Sequence, residues 1–116
     1  MAAIDNVVNG IIQQIVVQET GEYLQLIDST NENEITDDRW RQAYDLYHGL
    51  DTENRGRFET LVRLVTIDTI SSLLGLIDGV SSFEGQTDEF ELTYADDVIS
   101  GDLQDTFLAR IEDLGT

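Results

Sequence analysis

The chain of 116 residues contains no lysine, no cysteine and no proline, and it has a single histidine. Without cysteine there is no disulfide framework, no thiolate ligand for zinc and no thiol nucleophile. Without proline, the turns depend on nine glycines and on Asn, Asp and Ser. The absence of lysine is the most informative, because an ordinary acidic protein carries Lys and Glu together as solvating surface pairs.

Positive charge of any kind is scarce. Six Arg stand against 24 acidic residues, which gives a formal net charge of -18. A surface this negative repels nucleic acid and anionic lipid, so we expect no direct nucleic-acid ligand and no membrane partner. The start of the chain lacks a basic segment, and no apolar run approaches the ~18 residues of a membrane-spanning helix. These features predict a soluble, cytoplasmic protein.

The charge is spread unevenly along the chain. Residues 1–35 carry six acids and no base, residues 36–66 carry six acids and five Arg, and residues 67–116 carry twelve acids and one Arg. Two interpretations remain open. Either the Arg residues pair internally with acids elsewhere in the fold, or the molecule presents one strongly negative face.

Apolar periodicity predicts a mainly α (α+β) fold of about four helices with a C-terminal β-hairpin. Ile and Val recur at three- and four-residue spacing over residues 4–16, which predicts a long first helix that Leu24 and Ile27 extend. Thr36 is the predicted N-cap of a second helix, which ends near Gly49.

The C-terminal half predicts three further elements. Asp51 caps a third helix, the most hydrophobic one, which we expect to be central and to end at Gly79. Alternation over residues 90–94 predicts a strand that pairs with residues 98–100, and a last helix follows over residues 103–115. The residues predicted to form the buried face of the first strand are Phe90, Leu92 and Tyr94. We expect one compact domain over residues 1–116.

His48 is the only residue that suggests acid–base catalysis, because Asp45 and Asp51 lie three residues to either side. In so acidic a chain such neighbours arise by chance, and a helix C-terminus stabilises a protonated His without any catalytic purpose. There is no nucleophile elbow, no glycine-rich phosphate loop and no histidine pair. We therefore interpret His48 as structural and expect no enzyme activity.

A loose cluster of carboxylates near the C-terminus raises the question of calcium. The cluster comprises Asp96, Asp97, Asp102 and Asp105. Its spacing does not match an EF-hand loop, in which alternate acids precede a Gly and a bidentate Glu follows. We expect a solvated turn and helix start, with no metal and no cofactor.

The C-terminal region resembles a family of small, uncharacterised bacterial proteins. The resemblance is carried by residues 76–86, by Phe90-Glu91-Leu92 and by the run Gly101-Asp-Leu-Gln-Asp-Thr-Phe-Leu. The region is similar in style to small acidic immunity proteins that neutralise a toxin. The resemblance implies a shared fold more than an activity.

The leading hypothesis is a non-enzymatic protein-binding module, an inhibitor or immunity-type protein whose negative face meets a basic protein. Tyr94 or Tyr44 would serve as an exposed aromatic anchor. The predicted partner-binding residues are Asp88, Glu89, Glu91, Tyr94, Asp96, Asp97, Asp102 and Asp105.

Two alternatives remain. The first is a structural or assembly protein of a halophilic source, whose acidity serves solubility alone and whose residues 4–16 pair with a second copy as a homodimer. The second is a nucleic-acid mimic that occupies a DNA-binding groove, which requires regularly spaced surface acids.

Overall fold

A computed structural model describes residues 2–115 and confirms the predicted mainly helical fold with a small antiparallel hairpin. Helix α1 is continuous over residues 3–29. A single 3₁₀ turn, Glu32–Glu34, follows it. The remaining elements are α2 (Asp38–His48), α3 (Thr52–Asp78), β1 (Thr93–Tyr94), β2 (Asp97–Val98) and α4 (Leu103–Asp113).

The middle of α1 is π-helical over Ile12–Glu19, which the apolar spacing does not predict. Two side-chain donors bind carbonyl oxygens of this wider turn. The Thr20 hydroxyl donates to the Ile15 carbonyl over 3.0 Å, and the Arg63 guanidinium donates to the Val16 carbonyl over 3.1 Å. The second of these hydrogen bonds ties the π-helical turn to α3.

The caps of α2 and α3 are carboxylates. Asp37, and not the predicted Thr36, caps α2, because one of its carboxylate oxygens accepts from the backbone N–H of Arg39 at 2.8 Å and of Trp40 at 3.1 Å. A charged acceptor at this end also complements the helix dipole, which a hydroxyl does not. Asp51 caps α3 as predicted.

The hydrophobic core lies between the first half of α1, the second half of α3, and α4. Its buried members are Val8, Ile12, Val16, Ile67, Leu74, Ile99, Leu103, Phe107 and Ile111. The apolar face of residues 4–16, considered above for pairing with a second copy, is therefore occupied within the same chain. Gly79 ends α3 with φ of 79°, in the left-handed region, as predicted.

Helix α3 is central only in its second half. Its buried positions are Ile67, Ser71, Leu74 and Gly75. In its first half Leu61 and Leu64 keep 57% and 49% of their surface exposed, and Val65 is exposed as well. The periodic apolar pattern of α3 therefore covers more of the helix circumference than the neighbouring helices bury.

Helix α3 is also long and apolar enough to cross a membrane by length and composition, with a mean hydropathy of 1.6 over 18 residues. This stretch is not an uninterrupted apolar run, because it contains Arg63 and Asp68. The sequence prediction, which looked for such a run, therefore did not include it. Core helices of soluble proteins satisfy the same criterion when they are mostly buried, whereas 22% of this window is buried, where the second half of α3 packs against α1 and α4.

The hairpin is shorter than predicted, and its predicted buried face is wrong. Thr93 pairs with Val98 and Tyr94 with Asp97, so each strand has two residues. Phe90 and Tyr94 are 49% and 53% exposed, and Leu92 is exposed too. No described element packs on this side. Alternation of apolar and polar residues predicts a shared face, but it does not show that another element packs on that face. Ile99, just after β2, is the residue that enters the core.

Asp78 joins the end of α3 to the start of α4. One of its carboxylate oxygens accepts from the backbone N–H of Gly101 at 2.7 Å and of Leu103 at 3.2 Å, and the other accepts from Gln104 at 2.7 Å. These donors are free because the first turn of a helix has no intrahelical acceptor for its N–H groups. Asp102 precedes α4 but makes no capping hydrogen bond.

The contact between α3 and α4 continues about two turns back along α3, at Ser71. The Gln104 side-chain amide donates to the carbonyl of Ser71 at 2.9 Å and to its hydroxyl at 3.2 Å. Gly75 lies so close that a Cβ built on it would be 2.9 Å from the amide nitrogen of Gln104. A side chain at position 75 would therefore displace the Gln104 amide from its hydrogen bonds to Ser71.

Replacing Asp78 with Ala should lower the free energy of unfolding by about 2 kcal/mol, because three N–H groups lose a charged acceptor. Asp78→Asn should cost less, since an amide oxygen can still accept. Denaturant unfolding followed by circular dichroism measures the change. The control is Asp45→Ala on the exposed face of α2, and an equal loss for both alanine variants would contradict the role of Asp78.

Candidate functional site

Each of the six Arg side chains contacts either residues near it in the sequence or residues of α1. Arg55 donates to the Tyr47 carbonyl at 3.2 Å and lies 4.9 Å from the centre of the Tyr47 ring. Arg63 binds the π-helical turn of α1, as described above. The ion pairs are Arg39–Asp37 at 3.9 Å, Arg41–Glu32 at 3.7 Å, Arg57–Glu53 at 2.7 Å and Arg110–Asp5 at 3.2 Å.

The acids of residues 84–105, here called the acidic segment, take no part in this pairing. Within residues 2–115 none of them forms an ion pair, and all are exposed. They are Glu84, Asp88, Glu89, Glu91, Asp96, Asp97, Asp102 and Asp105. Within residues 2–115 four Arg form ion pairs, with Asp5, Glu32, Asp37 and Glu53, so internal pairing holds for part of the Arg residues only. The acidic segment, like most other acids of the described residues, remains uncompensated.

The predicted partner-binding residues all lie on this segment, whose C-terminal end is held to the end of α3 by Asp78. Asp88, Glu89 and Glu91 lie on the loop before β1, and Tyr94, Asp96 and Asp97 lie on the hairpin. Asp102 and Asp105 lie at the start of α4, where a negative charge also favours the helix dipole. Tyr44 is not part of this segment, because its ring stacks on His48 in α2 at 4.1 Å.

Two aromatic rings accompany the acids of the loop. Phe83 and Phe90 lie with ring centroids 6.2 Å apart, and about half of each side chain is exposed. The sequence prediction placed Phe90 in a buried face and did not include Phe83. The available signal was Phe83, an apolar residue in a stretch of Gly, Ser and acids that belongs to neither a helical nor a strand period.

The loop carrying these rings is held in one conformation by Gln86. Its side-chain oxygen accepts from the Phe83 N–H at 3.2 Å, and its amide donates to the Asp88 carbonyl at 2.9 Å. Farther on, the Ile99 N–H donates to the Leu92 carbonyl at 2.9 Å, which fastens the loop to the hairpin. The acidic segment is thus ordered by its own hydrogen bonds although it has little regular secondary structure.

His48 connects α2 to α1. Its Nε2 lies 3.0 Å from the Ile27 carbonyl oxygen, so Nε2 carries a proton and donates it to that oxygen. Its ring stacks on Tyr44 and meets Tyr47 edge to face at 5.3 Å. Nε2 of His48 is therefore used in the hydrogen bond that links α2 to α1.

A surface cavity of about 290 Å³ lies beside the same C-terminal part of α1. Tyr47 is buried in its wall, and burial raises the pKa of its hydroxyl, as do the nearby charges of Asp28 and Glu59 and a hydrogen bond to Asp28. Arg63 forms part of the same lining but already donates to α1. In residues 2–115 no three His, Asp or Glu side chains come together as ligands for a metal ion.

Comparison with models of known protein families, with curated proteins and with solved structures found no match for this chain. The resemblance to acidic immunity proteins therefore stays a prediction. What the protein does has to be argued from the geometry of its own surface.

Replacing Tyr47 with Phe should flatten the loss of stability at alkaline pH. Because the fold raises the pKa of Tyr47, the folded chain keeps this proton at a pH where the unfolded chain loses it. The free energy of unfolding therefore falls as the pH rises above about 10, and Tyr47→Phe removes that contribution. Denaturant unfolding at a series of pH values measures it, with Tyr94→Phe as the exposed control; identical profiles for wild type and Tyr47→Phe would refute the assignment.

Proposed function

We propose that the protein is a soluble, cytoplasmic, non-enzymatic binding module whose acidic segment docks on a basic protein surface, as an inhibitor or immunity-type protein does. One observation carries the proposal. Residues 84–105 carry eight exposed acids and no Arg, and none of these acids forms an ion pair within the described part of the chain. A cationic partner would supply the missing positive charge.

The charges of the acidic segment favour a fast and selective encounter. At physiological ionic strength exposed charges act over about 8 Å, so several clustered acids attract a basic surface before contact is made. Complementary potentials raise the association rate and disfavour acidic competitors. This contribution depends on salt and does not by itself produce a tight complex.

Phe83 and Phe90 supply an apolar anchor within the same segment. Half-exposed rings can be desolvated on contact, and aromatic residues are enriched among the few that dominate binding energy. The surrounding acids Asp88, Glu89 and Glu91 then form the polar rim. Because Gln86 and Asp78 already order the loop, docking costs less conformational entropy than it would for a flexible segment.

The alternative is a salt-adapted structural or assembly protein in which acidity serves solubility alone. The observation that favours it is the absence of Lys from the whole chain, including regions far from the acidic segment. Under this alternative the position of an acid would not matter for binding, because only the net charge acts. Charge reversals at different places therefore separate the two candidates.

Reversing Glu89, Glu91 and Asp97 to Lys should slow association with a cationic partner about ten-fold at low salt and flatten its salt dependence, because the steering field is lost. The partner is first captured from native lysate on the wild-type chain, and surface plasmon resonance then measures the rates.

The matched control carries the same change in net charge on exposed acids outside the segment, at Glu19, Glu34 and Asp45. We expect this control to associate much faster than the first variant. Equal rates for the two variants would favour acidity that acts only through net charge.

Replacing Phe83 with Ser should accelerate dissociation of the same complex by about ten-fold or more, because an anchoring ring is lost. The salt dependence of association should not change, since no charge is altered. Leu46→Ser in α2, an equally exposed apolar position, is the control. An unchanged dissociation rate for Phe83→Ser would exclude the ring as an anchor.

A further inference from the structure

The single chain exposes more surface to solvent than a compact monomer of the same mass. Its accessible surface is 7928 Å², whereas a compact monomer of 13.0 kDa exposes about 6,300 Å². Its radius of gyration is 17.5 Å, against about 13 Å for a compact domain of this length. The surplus of about 1,600 Å² exceeds the ~800 Å² that each partner contributes to an interface of standard size.

Part of this surplus is a stripe along the first half of α3. Arg57, Leu61, Leu64 and Asp68 follow one another at intervals of four, three and four residues, and all are exposed. We call these four residues the α3 stripe. Their intervals are those of the seam along which two helices pack in a coiled coil. Val65, also exposed, widens the apolar part of the stripe.

The α3 stripe is complementary to itself. Its midpoint falls between Leu61 and Leu64, and Arg57 and Asp68 lie at equal distances on either side. An antiparallel pairing with two-fold symmetry therefore places Leu61 of one copy against Leu64 of the other. The same pairing places Arg57 of each copy against Asp68 of the other, so both ends of the contact join opposite charges.

The charges of the stripe are available for this contact. Asp68 forms no ion pair in the described residues. Arg57 holds Glu53 at 2.7 Å, but both side chains are mostly exposed, and a surface pair of this kind is weak enough to exchange. Residues 36–66 carry six acids and five Arg, so repulsion between two copies of a chain of charge -18 is smallest here.

Two other occupants of the stripe fit less well. A cationic protein would meet the like charge of Arg57 at one end of the stripe, and it has a better site on the acidic segment. A lipid bilayer would have to bury the charges of both Arg57 and Asp68, which is costly in hydrocarbon. We propose that two copies of this chain pair antiparallel through the α3 stripe.

Removing the apolar centre should break the pair. Sedimentation equilibrium over a concentration series at physiological salt should give twice the chain mass for the full wild-type chain. Leu61→Ser combined with Leu64→Ser should weaken self-association at least ten-fold. Leu26→Ser combined with Leu46→Ser replaces equally exposed leucines outside α3 and should leave the dimer intact. A wild-type monomer at every concentration, or an equal loss in the control pair, would overturn the proposal.

Exchanging the charges tests the antiparallel register itself. Arg57→Asp alone and Asp68→Arg alone each place like charges opposite one another, so each variant should self-associate more weakly than wild type. A mixture of the two variants restores an opposite pair at both ends and should form the heterodimer in preference to either homodimer. The double variant R57D/D68R should recover the wild-type dimer, and failure of both combinations to recover would rule out this register.

A vesicle experiment separates a second copy from a lipid surface. The wild-type chain is sedimented with phosphatidylcholine vesicles, in parallel with the serine double variant at positions 61 and 64. We expect neither chain to sediment with the vesicles. Co-sedimentation of the wild type that is lost in the double variant would make lipid the occupant and overturn the pairing. Circular dichroism of each variant checks that it is folded.

Discussion

The carboxylate of Asp78 is the constraint on which the rest of the structure depends. At the last residue of α3 an acid faces the negative end of its own helix dipole, which is unfavourable. The same carboxylate compensates by accepting three N–H groups at the start of α4, the end of a helix that favours negative charge. The chain that links α3 to α4 must therefore begin and end close to Asp78. Asp78 thereby closes the loop of residues 79–100 at its base and holds the start of α4, whose Leu103 and Phe107 lie in the core.

The division of charge follows from that framework. A chain with six Arg and 24 acids cannot neutralise its acids, so the placement of the Arg residues decides which acids remain free. Here the Arg side chains bind helix ends, backbone carbonyls and nearby acids around α1, α2 and the first half of α3. Nothing positive within residues 2–115 pairs with the acidic segment. Its charge and its exposed rings are already accessible in the chain alone, which supports the proposed contact with a basic partner.

Local signals predicted the helices well because each depends on a few neighbouring residues. Apolar spacing located α1, α3 and α4, Asp51 was identified as a cap, and Gly79 as the left-handed residue that ends α3. The choice of Thr36 over Asp37 failed because both types cap helices and only the backbone geometry decides between them. The buried face of Phe90, Leu92 and Tyr94 failed for another reason, since alternation shows which side chains share a face but not whether anything packs on it.

The sequence by itself determined the helical class, the excess of negative charge and its concentration toward the C-terminus, since these follow from composition and short-range spacing. Only the tertiary structure decided that the acidic segment lacks ion pairs, that Phe83 lies beside Phe90, and that the first half of α3 keeps an exposed stripe. Those facts depend on contacts between residues far apart in the chain, such as Arg63 with Val16 and Gln104 with Ser71. Short-range patterns carry no information about which distant groups will meet, because that is settled by how whole helices pack.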